Sequence, residues 1–294
     1  MSHELHLHKI GPIKDCRLTL DTFTILTGPQ ANGKSTVAKA VYFFRSVRQD
    51  ILSIMMQGGP KAVTGGSSSA WHTVLKQRMK DKFLQLFGTS WVMPSDMKME
   101  YQYSDKVAIT VSLEEDSNDP TRNYIVIDFS ESIENYLEAL SSHIFANITP
   151  AQKEHEEKKL NELFNDPFEP VFIPAGRNLL TLLSTQLNYI FTSLEDSQLR
   201  NIDYVTKRYT ELILRLKPVF AHGMEGIANR MKDDPTQSKK YERIRPALNV
   251  LMDQAKEIMQ STYRYVDGEE RLYLSDDRYV KINLASSGQQ EVVW

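Results

Sequence analysis

Gly28-Pro29-Gln30-Ala31-Asn32-Gly33-Lys34-Ser35 sets two glycines around four intervening residues and follows them with a lysine and a hydroxyl. A triphosphate is polyanionic, so its site needs converging backbone N–H groups, a helix N-terminus and a cation able to reach the terminal phosphates. This spacing supplies all three. Gly28 and Gly33 permit the backbone turns and the close approach that side chains would block, Lys34 would reach the β- and γ-phosphates, and Ser35 would hold Mg²⁺. Thr36 adds a hydroxyl for the α-phosphate, while Gln30 and Asn32 either touch phosphate and water or only shape the turn. The expected ligand is ATP or a close analogue, with Mg²⁺ as its metal.

A second stretch, Ser286-Ser287-Gly288-Gln289-Gln290-Glu291, places hydroxyls and small residues at an expected helix start. Such a start can hold an anion, and it can equally be an ordinary loop followed by an N-cap. Tyr124-Ile125-Val126-Ile127-Asp128 is an apolar run ending in an acid that could support Mg²⁺ in a self-contained P-loop kinase or NTPase. His3, His6 and His8 invite a metal reading, but a strand would set His6 and His8 on a polar face without acidic or cysteine company. Lys76, Arg78, Lys80 and Lys82 form one basic cluster, and Arg230, Lys232, Lys239, Lys240, Arg243 and Arg245 form another. Solvated helix surfaces account for such clusters, and nucleic-acid contact is the alternative.

The elements that must position these groups follow from periodicity. Leu5–His8 and Cys16–Leu20 alternate apolar and polar around the turn Gly11-Pro12, and they predict two strands feeding a third at Phe23–Leu26. The third is apolar throughout, as in a parallel sheet covered on both faces, and runs into the glycine loop. A helix should open at Lys34. Trp71, Val74, Leu75, Met79 and Phe83 mark another after a Gly/Ser-rich loop; 98–103, 107–113 and 124–129 predict an antiparallel β-lobe. Helices are expected over 130–145 and 152–163, then a short strand at Val171–Ile173, a helix with one face at Leu179, Leu183, Leu187 and Ile190, and further helices over 204–216 and 241–260. A hairpin about Asp267-Gly268 precedes the second motif. The fold class expected is α/β, a P-loop NTPase with an antiparallel β-lobe and a helical lobe. Its segments are 1–57 (nucleotide core), 58–168 (loop excursion and β-lobe), 169–261 (strand and helical lobe) and 262–294 (hairpin and second motif).

With 294 residues, a formal charge of -3 and ordinary apolar content, the chain has material for a large core and no global attraction to nucleic acid or membrane. No apolar run approaches bilayer length, the first twenty residues lack a signal pattern, and Cys16 is the lone cysteine. A cytoplasmic protein is expected, with no internal disulfide.

From Gly11-Pro12-Ile13-Lys14-Asp15 through the glycine loop, and again over Leu284–Glu291, the chain resembles the ATP-binding-cassette ATPases of the SMC and Rad50 type. The second stretch is similar to their Leu-Ser-Gly-Gly-Gln signature, departing from it at Ala285, Ser286 and Ser287. Thr27-Gly28-Pro29-Gln30 and Phe172-Ile173-Pro174-Ala175-Gly176-Arg177 more specifically resemble short ATPases found with OLD-type and TOPRIM nucleases in bacterial anti-phage systems. The resemblance implies a homo-oligomer in which two heads sandwich ATP, with Ser286, Ser287, Gly288 and Gln289 of one head capping nucleotide on the other, and Arg177 as a nucleotide sensor. It further implies a switch in a DNA-repair-like or anti-phage assembly, with a nuclease or other effector as partner, nucleic acid within reach and no membrane. The family's Asp-Glu strand and switch histidine would follow Trp294, so the expectation for this chain is nucleotide binding with weak or no hydrolysis. The alternatives are a truncated, non-hydrolysing ATP-binding scaffold for an effector, and the self-contained kinase or NTPase using Asp128.

Overall fold

The computed structural model describes residues 2–65, 70–115, 122–141, 148–175, 203–234 and 238–293. The chain is a mixed α/β protein of two units, Met1–Phe172 and Ile173–Trp294.

In the first unit, β1 (His3–Ile10) and β2 (Ile13–Leu20) form a hairpin about Gly11 and Pro12. They join β3 (Lys98–Ser104), β4 (Val107–Glu115) and β5 (Asn123–Phe129) in one antiparallel sheet of order β2-β1-β3-β4-β5. The period-two alternation sorts its two faces. Leu5, Leu7, Met99, Tyr101, Tyr103, Ile109, Val111 and Ile127 are buried, while Glu4, His6, His8, Glu100 and Thr110 stand on the polar face. The expected N-terminal strands and β-lobe are therefore one sheet.

Helices α1 (Lys34–Arg45), α2 (Val47–Met56), α3 (Pro60–Val63), α4 (Trp71–Phe87), α5 (Glu131–Leu140) and α6 (Pro150–Leu163) complete this unit. Phe44 of α1 stacks on Tyr101 with ring centroids 5.2 Å apart, and Phe43 meets Phe83 of α4 edge-on. The Tyr103 hydroxyl donates to the Phe44 carbonyl at 2.6 Å. Arg45 and Asp166 form a two-bond fork at 2.6 and 2.7 Å, tying the end of α1 to the chain beyond α6.

Two expected strands do not form. Residues 21–33 contain no helix or strand, and Phe23 and Ile25 are 81% and 69% exposed. An apolar strand of that kind is stable only between paired neighbours, and neither described sheet pairs with it. Val171–Ile173 is likewise irregular, with Val171 and Ile173 exposed. The expected helix over Leu179–Ile190 lies outside the described residues, as do 142–145 of the helix expected over 130–145.

The second unit contains α7 (Tyr204–Leu216), α8 (Gly223–Asp233) and α9 (Ser238–Met259), then a sheet of β6 (Thr262–Val266), β7 (Glu269–Ser275) and β8 (Arg278–Lys281), and the short helix α10 (Ser287–Val292). The β6–β7 turn has positive φ at both Asp267 and Gly268, which suits the right-handed strand twist. Tyr263, Leu272 and Ile282 form a core against which Phe220, Ala285 and Val293 pack. Buried Glu270 accepts from Lys217 Nζ and from the Tyr263 hydroxyl, each at 3.0 Å.

Candidate functional site

The glycine loop leads directly into α1. Gly33 caps that helix at φ 86°, ψ 7°, and the Val37 N–H closes the first turn on its carbonyl at 2.9 Å. A Cβ at Gly33 would stand 2.6 Å from Ile13 Cγ1 and 3.3 Å from Pro12 Cγ. The close approach thus seats the loop on the β1–β2 turn, where Gly11 in turn meets the Thr36 side chain. Gly28 (φ 144°) and Ala31 (φ 64°) also take positive φ, so the chain coils before the helix.

Lys34 folds back over this coil, its ammonium donating to the Gly28 carbonyl at 2.7 Å and to the Pro29 carbonyl. Gly28, Pro29, Gln30, Ala31, Asn32 and Ser35 are exposed, Lys34 and Thr36 half-buried, and Gly33 buried. The cation, the helix N-terminus and the first-turn hydroxyls therefore belong to one solvent-facing loop. Such an arrangement can bind a phosphate chain, the N–H groups and helix dipole favouring its charge. The exposed Ser35 hydroxyl is an oxygen donor of the kind that Mg²⁺ takes.

In the second unit Ser286 caps α10 through a reciprocal box with Gln289: its Oγ accepts from the Gln289 N–H at 3.3 Å while Gln289 Oε1 accepts from the Ser286 N–H at 3.2 Å. Gln289 Nε2 donates to the Met259 carbonyl at 2.9 Å, and Gln290 Nε2 to those of Ile282 and Ala285. Gln289 is thus committed to its own chain, leaving Ser286, Ser287 and Gly288 as the exposed part of the motif. The Ser-x-x-Gln spacing carried this cap in the sequence. Arg177 lies outside the described residues.

Asp128 is exposed on β5, the outer strand of an antiparallel sheet. The histidines differ from expectation. His3 is buried, and His6 and His8 do have acidic company: Asp15 of β2 takes His6 Nε2 at 2.9 Å and His8 Nδ1 at 3.1 Å on a single oxygen. These two bonds hold the Asp15 carboxyl below its ordinary range, that to His6 contributing most. Among the described residues no group of three or more His, Cys, Asp or Glu could hold a metal ion.

The first basic cluster is not one continuous surface. Lys82 turns inward to the Ser46 hydroxyl at 2.7 Å and to Asp50, and Arg78 donates to the Asp50 carbonyl. Arg230 reaches the Val219 carbonyl and Arg245 pairs with Glu242. Sequence periodicity missed the inward turn of Lys82 because its partners lie 32 and 36 residues away. No helix among the described residues is long and apolar enough to cross a membrane. Compared with family models, with curated proteins and with solved structures, the chain matches none.

Proposed function

We propose that the chain binds a nucleoside triphosphate, ATP by resemblance, together with Mg²⁺ on the loop Gly28–Thr36. The observation that carries this reading is the coiled loop of Gly28–Gly33, seated on Ile13 and Pro12, with Lys34 drawn over its carbonyls at the start of α1. Phosphate oxygens would exchange places with those carbonyls as the acceptors for Lys34, and exposed Ser35 would hold Mg²⁺. The metal would neutralise and bridge the terminal phosphates.

The wider reading is a nucleotide-gated head of the cassette type, acting as a switch in a repair-like or anti-phage assembly with an effector partner. In it Ser287 and Gly288 of one copy face the nucleotide on a second copy. Their exposure at the start of α10 supports this, while Gln289, occupied at home, takes no part.

Binding without turnover, the scaffold reading, has an observation in its favour over the self-contained NTPase: Asp128 stands exposed in a strand paired antiparallel to β4. Asp128→Asn should leave nucleotide affinity within about twofold of the parent. The test is mass measurement with and without Mg²⁺-ATP beside a hydrolysis assay. A dimer that needs nucleotide and is lost in Ser287→Arg supports the switch; a monomer at saturating nucleotide, or turnover abolished by Asp128→Asn, refutes it.

A further inference from the structure

Helix α9 carries more apolar surface than its neighbours cover. At 3.6 residues per turn, Tyr241, Leu248, Met252 and Met259 fall on one line, and they are buried or half-buried where α9 lies against α8 and α10. Ala247, Val250, Leu251 and Ile258 fall on a second line, about a third of a turn away. The apolar sector thus takes up roughly half of the circumference, whereas packing on one side needs a stripe of about 100°. On the second line Val250, Leu251 and Ile258 are 55%, 56% and 64% exposed. Large aliphatic side chains grouped on one helix face form a patch, unlike the scattered singles of an ordinary surface.

The charges beside this stripe are placed symmetrically. Arg243 stands seven residues before Val250 and Glu257 seven after it, so the three share one flank of the helix. Both charged residues are exposed, and neither makes an ion pair among the described residues. Their neighbours do: Arg245 pairs with Glu242 at 3.3 Å and Lys256 with Glu225 at 3.7 Å. A rise of 1.5 Å per residue sets Arg243 and Glu257 about 21 Å apart, too far to pair within the helix.

We propose that α9 of one copy docks antiparallel on α9 of a second copy, with Val250 and Leu251 at the twofold axis and Arg243 of each copy paired with Glu257 of the other. A twofold contact requires a self-complementary face. Reversal about Val250 supplies it, bringing a cation onto an anion at both ends and Ala247 opposite the longer Gln254. A parallel pair would set like charge on like. The stripe is one helix long, smaller than the roughly 800 Å² per partner of a standard interface, so the association is weak. It needs no nucleotide and uses neither the glycine loop nor Ser287.

The test is sedimentation equilibrium of the full chain without nucleotide, from about 1 to about 200 μM, the nucleotide-dependent dimer being measured at the low end of that range. The parent should pass from monomer to dimer across it, and Lys34→Ala should behave alike. Leu251→Glu changes an exposed position to another good helix former and should weaken association at least about tenfold. Arg243→Glu and Glu257→Arg should each weaken it about fivefold, and the double variant should return to within about twofold of the parent. Circular dichroism verifies the helix content of each variant. A parent monomeric throughout, indifference to Leu251→Glu, or a double variant no better than the single ones would each overturn the proposal. Dimers formed only with Mg²⁺-ATP would overturn it too, while leaving the nucleotide reading in place.

Discussion

Gly33 and His3 hold their places through constraints that act on single atoms. At Gly33, φ of 86° and the Ile13 side chain leave no room for a Cβ. Gly33→Ala should therefore destabilise the fold by about 1–3 kcal/mol in urea unfolding, and it should weaken nucleotide binding as the loop lifts from the hairpin. Lys34→Ala should separate these effects, since Lys34 bonds to exposed loop carbonyls and its loss should cost below about 1 kcal/mol of stability. His3 carries a pH dependence. Its Nδ1 lies 2.9 Å from the Tyr101 hydroxyl and its Nε2 3.3 Å from the Asn165 carbonyl. The neutral ring with its proton on Nε2 satisfies both partners. Burial, the largest influence, lowers its pKa below the ordinary 6.5. A depressed folded-state pKa means that the unfolded chain takes up the proton first, so stability should fall as pH drops below about 6.5 and level off once the folded state protonates too. Urea midpoints at pH 7 and pH 5 check this: His3→Gln should flatten the difference, and an unchanged slope would contradict it. The loop residues were legible in the sequence because their spacing is local. His3 and its tautomer were not, because Tyr101 and Asn165 lie far along the chain.

Elements were legible to the extent that their own pattern fixes them. α1, α4, the β1–β2 hairpin and the Asp267-Gly268 turn sit where periodicity and turn residues put them. The strand expected at Phe23–Leu26 failed because an apolar run specifies burial only when neighbours exist to pair with it. Phe23→Asp gives a direct check: at 81% exposure the change should move stability by no more than about 0.5 kcal/mol, against several for a buried strand residue. The melting midpoint decides. A contrasting effect is expected at the fork between Arg45 and Asp166, whose carboxylate is only 4% exposed. Asp166→Ala would leave a half-buried guanidinium without its partner and should cost about 2–4 kcal/mol. Because the fork anchors α1 at the end opposite the glycine loop, nucleotide affinity should change far less than in Gly33→Ala. Fork and loop thus separate stability from binding on one helix.

At the scale of the whole molecule, each unit carries its own core and its own half of the proposed machinery. The first presents the glycine loop, and the second presents Ser287 and Gly288 on a short helix anchored through Ala285, Val293 and the Gln289 bond to Met259. The merging of the N-terminal hairpin with the β-lobe was not legible in the sequence, because it required the pairing of β1 with β3, a contact between strands some ninety residues apart. Joining the two halves across copies is a property of an assembly, so it depends on nucleotide reaching the loop in the first place. The most direct measurement is therefore a calorimetric titration of Mg²⁺-ATP into the chain and into Lys34→Ala, both verified as folded. Saturable binding at one site per chain is expected, weakened at least about tenfold, or roughly 1.4 kcal/mol, in the variant. Equal binding by both proteins, or none by the parent, would contradict it.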